Sequence, residues 1–236
     1  MTIKSGHVDH VTDAGLPPVA GSGDGRPPRP GRQYTRWILT SGIAASYVLF
    51  AVAVHLRLLD DLDIAVRHAA APDDVWGPTQ VRAARVVTAL RPTHLALPLL
   101  IIVAGLSVLR RSLRPFVVSA VVGVPVVVAT LGTKWAMAHS DPGTVPVGHG
   151  SFPSGHTVSA ITAVGVAVLL CRPGTRWGWA LPAAVGCVMG SALVLAWVHP
   201  TTDVIGAALL AAAALSGATA AKLGEWANDV PKKVAD

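Results

Sequence analysis

Apolar residues in this chain come in unbroken runs rather than in the spaced stripes of a soluble helix. Six such runs lie at approximately 37–58, 93–109, 115–134, 156–171, 178–198 and 202–221. Their lengths of roughly 16–22 residues suit a hydrocarbon core about 30 Å thick. The pattern predicts an all-α polytopic membrane protein with six transmembrane helices. Pro125, inside the third run, predicts a kink.

Polar stretches divide the runs. Residues 1–36 are rich in Gly, Pro and Asp, include GSGDGRPPRPGR, and show neither helical nor strand periodicity. They predict a disordered tail ahead of a membrane domain at 37–221, with a second polar tail at 222–236. Between the first two runs, Ile64, Ala65, His68 and Ala69, then Val81, Ala84, Arg85 and Thr88, have the spacing of short amphipathic helices. These predict a surface helical segment lying along the membrane. No internal repeat is visible, which weighs against an inverted-repeat transporter.

Composition strengthens the membrane reading. Hydrophobic residues make up 52% of the 236 and charged residues 14%, against about 25% charged in a soluble domain. The net charge of +6 sits in the tails and between the runs, which suits anionic lipid and argues against a nucleic-acid partner. Arg29, Arg32 and Arg36 precede the first run, so it reads as an uncleaved anchor with a cytoplasmic N-terminus. RRSLR at 110–114 and RPGTR at 172–176 fall on the same side as both tails, whereas DDLD, APDD and the 135–155 loop fall on the other. This charge bias predicts both termini cytoplasmic and the 135–155 loop outside, and the plasma membrane is the expected location. Trp37, Trp76, Trp135, Trp177, Trp197 and Trp226 stand at the run ends, as an interfacial belt requires. Cys171 and Cys187 lack metal-ligand spacing and read as small buried hydrophobes.

Chemically capable side chains collect at the outward ends of the runs. Lys134 closes the third run, PSGH at 153–156 opens the fourth, and HPTTD at 199–203 joins the fifth to the sixth. Ionisable groups at such depths are functional candidates. The bland alternative for Lys134 is a snorkelling side chain. Ser154, Gly155 and His156 would offer backbone N–H groups and a helix N-terminus to an anion, and Gly155 would let the backbone approach closely. Asp203, four residues after His199, can hold one imidazole nitrogen and leave the other free to attack phosphorus. His156 would then be the proton donor. No carboxylate cluster is present to hold a divalent metal, so metal-free chemistry without a cofactor is expected.

Lys134, PSGH at 153–156, and His199 with Asp203 four residues on resemble the type 2 phosphatidic acid phosphatase superfamily, the lipid phosphate phosphatases. That family's pattern is Lys, six residues, Arg-Pro; then Pro-Ser-Gly-His; then Ser-Arg, five residues, His, three residues, Asp. The resemblance covers approximately residues 95–220. It implies a phosphohistidine mechanism with His199 as nucleophile, Asp203 orienting it and His156 as general acid. Lys134, Ser154 and Gly155 would bind phosphate oxygens of a lipid phosphate or a polyprenyl phosphate or diphosphate.

Both family arginines are missing. Asp141 stands before Pro142 where the first would be, and Leu193 replaces the second. Charge-assisted hydrogen bonds contribute roughly 1.5–3 kcal/mol each. Two losses without replacement would weaken phosphate binding by a factor of about 10²–10⁴. His139 and His149 are candidate substitutes, with solvated loop histidines as the alternative; Arg91 and His94 are further candidates. The departures leave open a non-catalytic protein that binds or moves a lipid phosphate, or transfer of phosphate to an acceptor other than water.

Overall fold

The computed structural model describes residues 31–71, 75–137, 151–172 and 177–229. The regular structure among them is all helical: α1 (Gly31–His55), α2 (Asp60–Ala70), α3 (Pro78–Ala89), α4 (Pro92–Arg110), α5 (Arg114–Met137), α6 (Gly155–Cys171), α7 (Trp177–Leu195), α8 (Thr201–Ala220) and α9 (Leu223–Asn228). Five helical stretches within them are long and apolar enough to cross a membrane. The remaining long apolar helix, α6, has 17 residues, at the short end of the spanning range. The six apolar runs thus correspond to α1 and α4–α8. The surface segment between the first two runs is α2 and α3.

Burial sorts these helices into inner and outer ones. α6 lies among α4, α5, α7 and α8, and α1 packs chiefly along α8. Val158, Ile161, Val166 and Leu170 of α6 meet Ala207, Leu210, Ala211 and Leu215 of α8, with Val118, Val122 and Val126 of α5 closing the core. α1 instead turns Leu39, Val48, Leu49 and Val52 outward. Such exposed leucines and valines suit a lipid solvent, which rewards apolar surface instead of penalising it. Cys171 and Cys187 are exposed as well, which corrects the expectation of buried thiols. In a membrane protein the apolar side of a helix can face lipid as readily as core.

With no hydrophobic drive between helices in lipid, close approach and polar contacts hold the bundle. A Cβ added at Gly165 of α6 would stand 2.3 Å from Leu215 Cδ1 of α8, so the glycine is what allows these backbones their separation. Thr40 Oγ1 and Ser216 Oγ share a hydrogen bond of 2.8 Å between α1 and α8, and Tyr47 Oη meets Thr133 Oγ1 at 2.9 Å between α1 and α5. Each such bond contributes roughly 0.6 kcal/mol in a bilayer.

The end of the bundle that carries the α4–α5 turn is closed by arginines. Arg110 Nη2 donates to Leu170 O at 3.1 Å and its Nη1 to Ala227 O at 3.3 Å, while Asn228 Nδ2 also donates to Leu170 O at 3.3 Å. These donors satisfy a carbonyl left open at the end of α6. Arg114 Nη1 donates to Trp226 O and Asp229 O, with its guanidinium over the Trp226 ring. α9 falls within the stretch expected to be a polar tail, and these contacts are what order it.

Gly165→Val should lower thermal stability in detergent by about 1–3 kcal/mol through overpacking against Leu215. Gly132→Val, whose new Cβ would meet nothing within 4 Å, is the control and should melt no lower than the parent.

Candidate active site

At the opposite end, three helix ends converge. Lys134 lies near the C-terminus of α5, Ser154 caps α6, and His199 ends the turn between α7 and α8, whose first turn carries Asp203. α7 stops at Leu195, short of the expected 198, and its last residues recoil. Trp197 adopts φ 57°, in the left-handed region, and the N–H groups of Val198 and His199 donate back to Leu193 O at 3.0 and 3.4 Å. This return turn sets His199 directly before α8.

His199 Nδ1 and Asp203 Oδ2 lie 2.8 Å apart, with the carboxylate side chain 0% exposed and the imidazole 12% exposed. A carboxylate can only accept, so Nδ1–H is the donor, and Nε2 makes no hydrogen bond to any described residue. Asp203 has a second duty, since its backbone carbonyl accepts the N–H of Ser154 at 3.1 Å and joins the start of α8 to the start of α6. That bond corrects one expectation: the Ser154 N–H is occupied and is no donor to an anion. Ser154 is fully buried, and its Oγ accepts from Thr157 N at 3.4 Å as a helix cap. Gly155 and His156 are half-buried. Among the described residues, a Cβ on Gly155 would meet nothing within 4 Å.

Lys134 Nζ donates to Ser151 O at 2.5 Å, drawing the segment ahead of PSGH towards α5. His156 lies within electrostatic reach of His199, Lys134 and Arg91. The structure therefore brings Lys134, Ser154, Gly155, His156, His199 and Asp203 together. His139, His149 and Asp141 lie outside the described residues. Leu193 is fully buried in an apolar cluster with Ala160 and Met189, so no charge replaces the arginine at that position. Among the described residues, no group of three or more His, Cys, Asp or Glu side chains could hold a metal ion.

Two supports are not legible as site features in the sequence. The first is an aromatic plug. Phe152, fully buried, stacks on Tyr47 at 6.3 Å and lies 6.4 Å from Phe50. Its ring occupies the space that a side chain on Gly206 would need, since a Cβ there would come within 2.3 Å. The second is a clamp from α2. Asp63 accepts from Thr202 N at 2.9 Å through Oδ1 and from Thr202 Oγ1 at 2.6 Å through Oδ2. A carboxylate at this helix N-terminus also meets the positive end of the α8 dipole. One turn along α2, Arg67 Cζ lies 5.3 Å from the centre of the Trp197 ring, which also receives an edge-on contact from Trp76 at 5.8 Å. α2 thus holds the chain on both sides of His199. The one available signal was the four-residue spacing of Asp63 and Arg67, which puts both on one helix face.

A membrane-embedded helical bundle with a histidine–carboxylate pair and a second histidine at one end defines the class, and the family model agrees. Residues 93–224 match the PAP2 superfamily, and the chain belongs to it. Among solved structures, the fold is similar to a crystal structure of a transmembrane PAP2-type phosphatidylglycerolphosphate phosphatase from Bacillus subtilis. That match has a TM-score of 0.63 at 19% identity and covers 83% of this chain and 98% of the other. Comparison with curated protein sequences finds no match.

Asp63→Ala removes both acceptors from the first turn of α8 and should cost about 0.5–2 kcal/mol of stability. Thermal unfolding in detergent checks this. Asp63→Asn, which keeps one acceptor, should fall between the parent and the alanine variant.

Proposed function

We propose that this protein is a lipid phosphatase that removes phosphate from a lipid phosphate or polyprenyl (di)phosphate through a phosphohistidine intermediate. The observation that carries this reading is the His199–Asp203 pair, 2.8 Å apart, with Nε2 bonded to no described residue and His156 nearby. In the first step the Nε2 lone pair attacks phosphorus and the bond from phosphorus to the lipid oxygen breaks. His156 gives its proton to that departing oxygen. Asp203 stabilises the imidazolium that forms on His199, as a carboxylate paired to Nδ1–H does. In the second step His156 takes a proton from water as the water oxygen attacks phosphorus. The P–N bond breaks, its electron pair returns to Nε2, and inorganic phosphate leaves.

Lys134 and the α6 N-terminus at Gly155 and His156 receive the phosphate oxygens in this scheme. Ser154 contributes as the cap that shapes this terminus. His139 and His149 of the 135–155 loop are kept as further hydrogen-bond donors to the phosphate. The basic bias of RRSLR and RPGTR supports an orientation with the site facing out of the plasma membrane and both termini cytoplasmic. A largely apolar groove of about 460 Å³ between α4, α6 and α7, lined by Leu95, Leu99, Ile102, Val164 and Leu181 and reaching Arg172 at the far end of α6, supports a substrate with a long hydrocarbon chain. It contains neither histidine nor carboxylate and has no part in the chemistry itself.

Leu193 favours a second reading, a non-catalytic protein that binds or moves a lipid phosphate. Its burial in apolar surroundings leaves the phosphate pocket without the family's arginine at that position.

Phosphate release separates the two. The purified protein should release phosphate from at least one of phosphatidic acid, phosphatidylglycerophosphate, polyprenyl monophosphate and polyprenyl diphosphate, with EDTA making no difference. His199→Ala should abolish release, and His156→Ala should lower kcat by about 10²–10⁴-fold. No release from any lipid, by protein shown to be folded, would favour the binding role.

A further inference from the structure

We propose that Arg91, on the turn between α3 and α4, supplies the phosphate-gripping guanidinium that this chain lacks at Leu193. The proposal rests on the site being one that takes a phosphate group, and does not require that the phosphate be hydrolysed.

The geometry begins with the apolar cluster around Leu193. Leu193, Ala160 and Met189 form its buried centre, and Leu90 and Leu95 pack against it from either side of the α3–α4 turn. Ala160 is four residues after His156 on α6, so the two share a helix face, with His156 one turn nearer the N-terminus. Leu90 is the neighbour of Arg91. The contact that fills the space around Leu193 therefore also carries Arg91 to the rim beside the first turn of α6. Arg91, like His199 and Lys134, accordingly lies within electrostatic reach of His156.

The turn is well held. Arg91 is the residue before α4, with Pro92 in the first helical position, and His94 N donates back to Arg91 O at 2.9 Å. His94 Nδ1 stands 3.1 Å from Ala89 O, closing the same turn from the other side. Arg91 Nε donates to Thr88 O at 3.1 Å, which fixes the guanidinium without using its two terminal nitrogens. Those nitrogens make no hydrogen bond to any described residue. A planar pair of free donors suits two oxygens of one phosphate.

The competing role for an exposed arginine at this depth is contact with lipid headgroups generally. Arg85, exposed on α3, provides the comparison.

The test is equilibrium binding of orthovanadate, a phosphate mimic, to the full-length protein in detergent, measured calorimetrically. KM and kcat are measured in parallel on whichever lipid phosphate is turned over. Arg91→Ala should weaken vanadate binding about 10- to 100-fold, the loss expected for one charge-assisted contact. Arg91→Lys should recover part of it, because lysine keeps the charge and loses the paired geometry. Arg85→Ala should bind as the parent does. A parent protein that binds vanadate yet hydrolyses no lipid, with Arg91→Ala weakened, would support Arg91 while overturning the hydrolase reading. Equal binding by the parent and Arg91→Ala would overturn the proposal, as would an equal loss in Arg85→Ala. Absence of vanadate binding by the folded parent would overturn it too.

Discussion

Asp203 is an ionisable side chain with no exposed surface, and the site end of the bundle is built to tolerate it. Burying a carboxylate costs several kcal/mol unless partners replace its water. Two features of the fold offset that cost. His199 Nδ1 donates to Oδ2 and the carboxylate lies in the first turn of α8 at the positive end of the helix dipole, whereas Oδ1 has no hydrogen-bond partner among the described residues. The same residue's carbonyl binds Ser154 N, so the position of α6 depends on the position of α8. His199 and Asp203 are therefore both a chemical pair and a structural joint. A variant that removes the imidazole leaves the buried carboxylate with no side-chain hydrogen-bond partner among the described residues, and its stability has to be measured before its inactivity is interpreted.

The membrane explains why such a joint can be small. α6 and α8 are covered by other helices, and α1 meets lipid with leucine and valine over most of its surface. In that solvent, polar backbone is satisfied within each helix, and only helix ends can present free donors and acceptors. One end is closed by Arg110, Arg114 and Asn228 on the carbonyls of α6 and α9. At the other end, Ser154 caps α6 and its N–H is bonded to Asp203 O of α8. The two ends of one inner helix are thus tied differently, one to arginines and the other to its neighbouring helix.

How much of this was legible in the sequence follows from the range of each interaction. The long apolar helices were legible because their signal is local and long, and so was the pairing of His199, just ahead of the Pro200 cap, with Asp203 in the first turn of α8, which joins residues only four apart. The contact between Asp63 and Thr202 was not, because it joins residues 139 apart and DDLD reads equally well as a solvated acidic turn. Phe152 over Gly206 has the same character, since neither residue indicates the other. The early end of α7 was hidden because Trp197 takes a left-handed conformation that its type rarely adopts, held there by Arg67 and Trp76 from elsewhere in the chain. The exposed cysteines escaped for a simpler reason: apolar character does not distinguish core from lipid.

Leu193 and Arg91 bear on what kind of phosphate site this chain can be. A guanidinium inside the bundle would act in a low-dielectric setting, where its pull on a phosphate is strong and salt has little effect. Leu193 makes that interior apolar, and the cation assigned in its place stands exposed at the rim. A rim cation works through a higher dielectric, so its grip is weaker, more readily screened and dependent on the precise placing of its donors. Lys134 is the inner cation of the set, and its Nζ is already bonded to Ser151 O. On the proposed reading, phosphate binding then depends more on the α6 N-terminus, where the dipole and the backbone N–H groups of Gly155 and His156 need no side-chain charge. That shift also makes the Ser154–Asp203 bond consequential, because it sets the direction in which α6 points those groups.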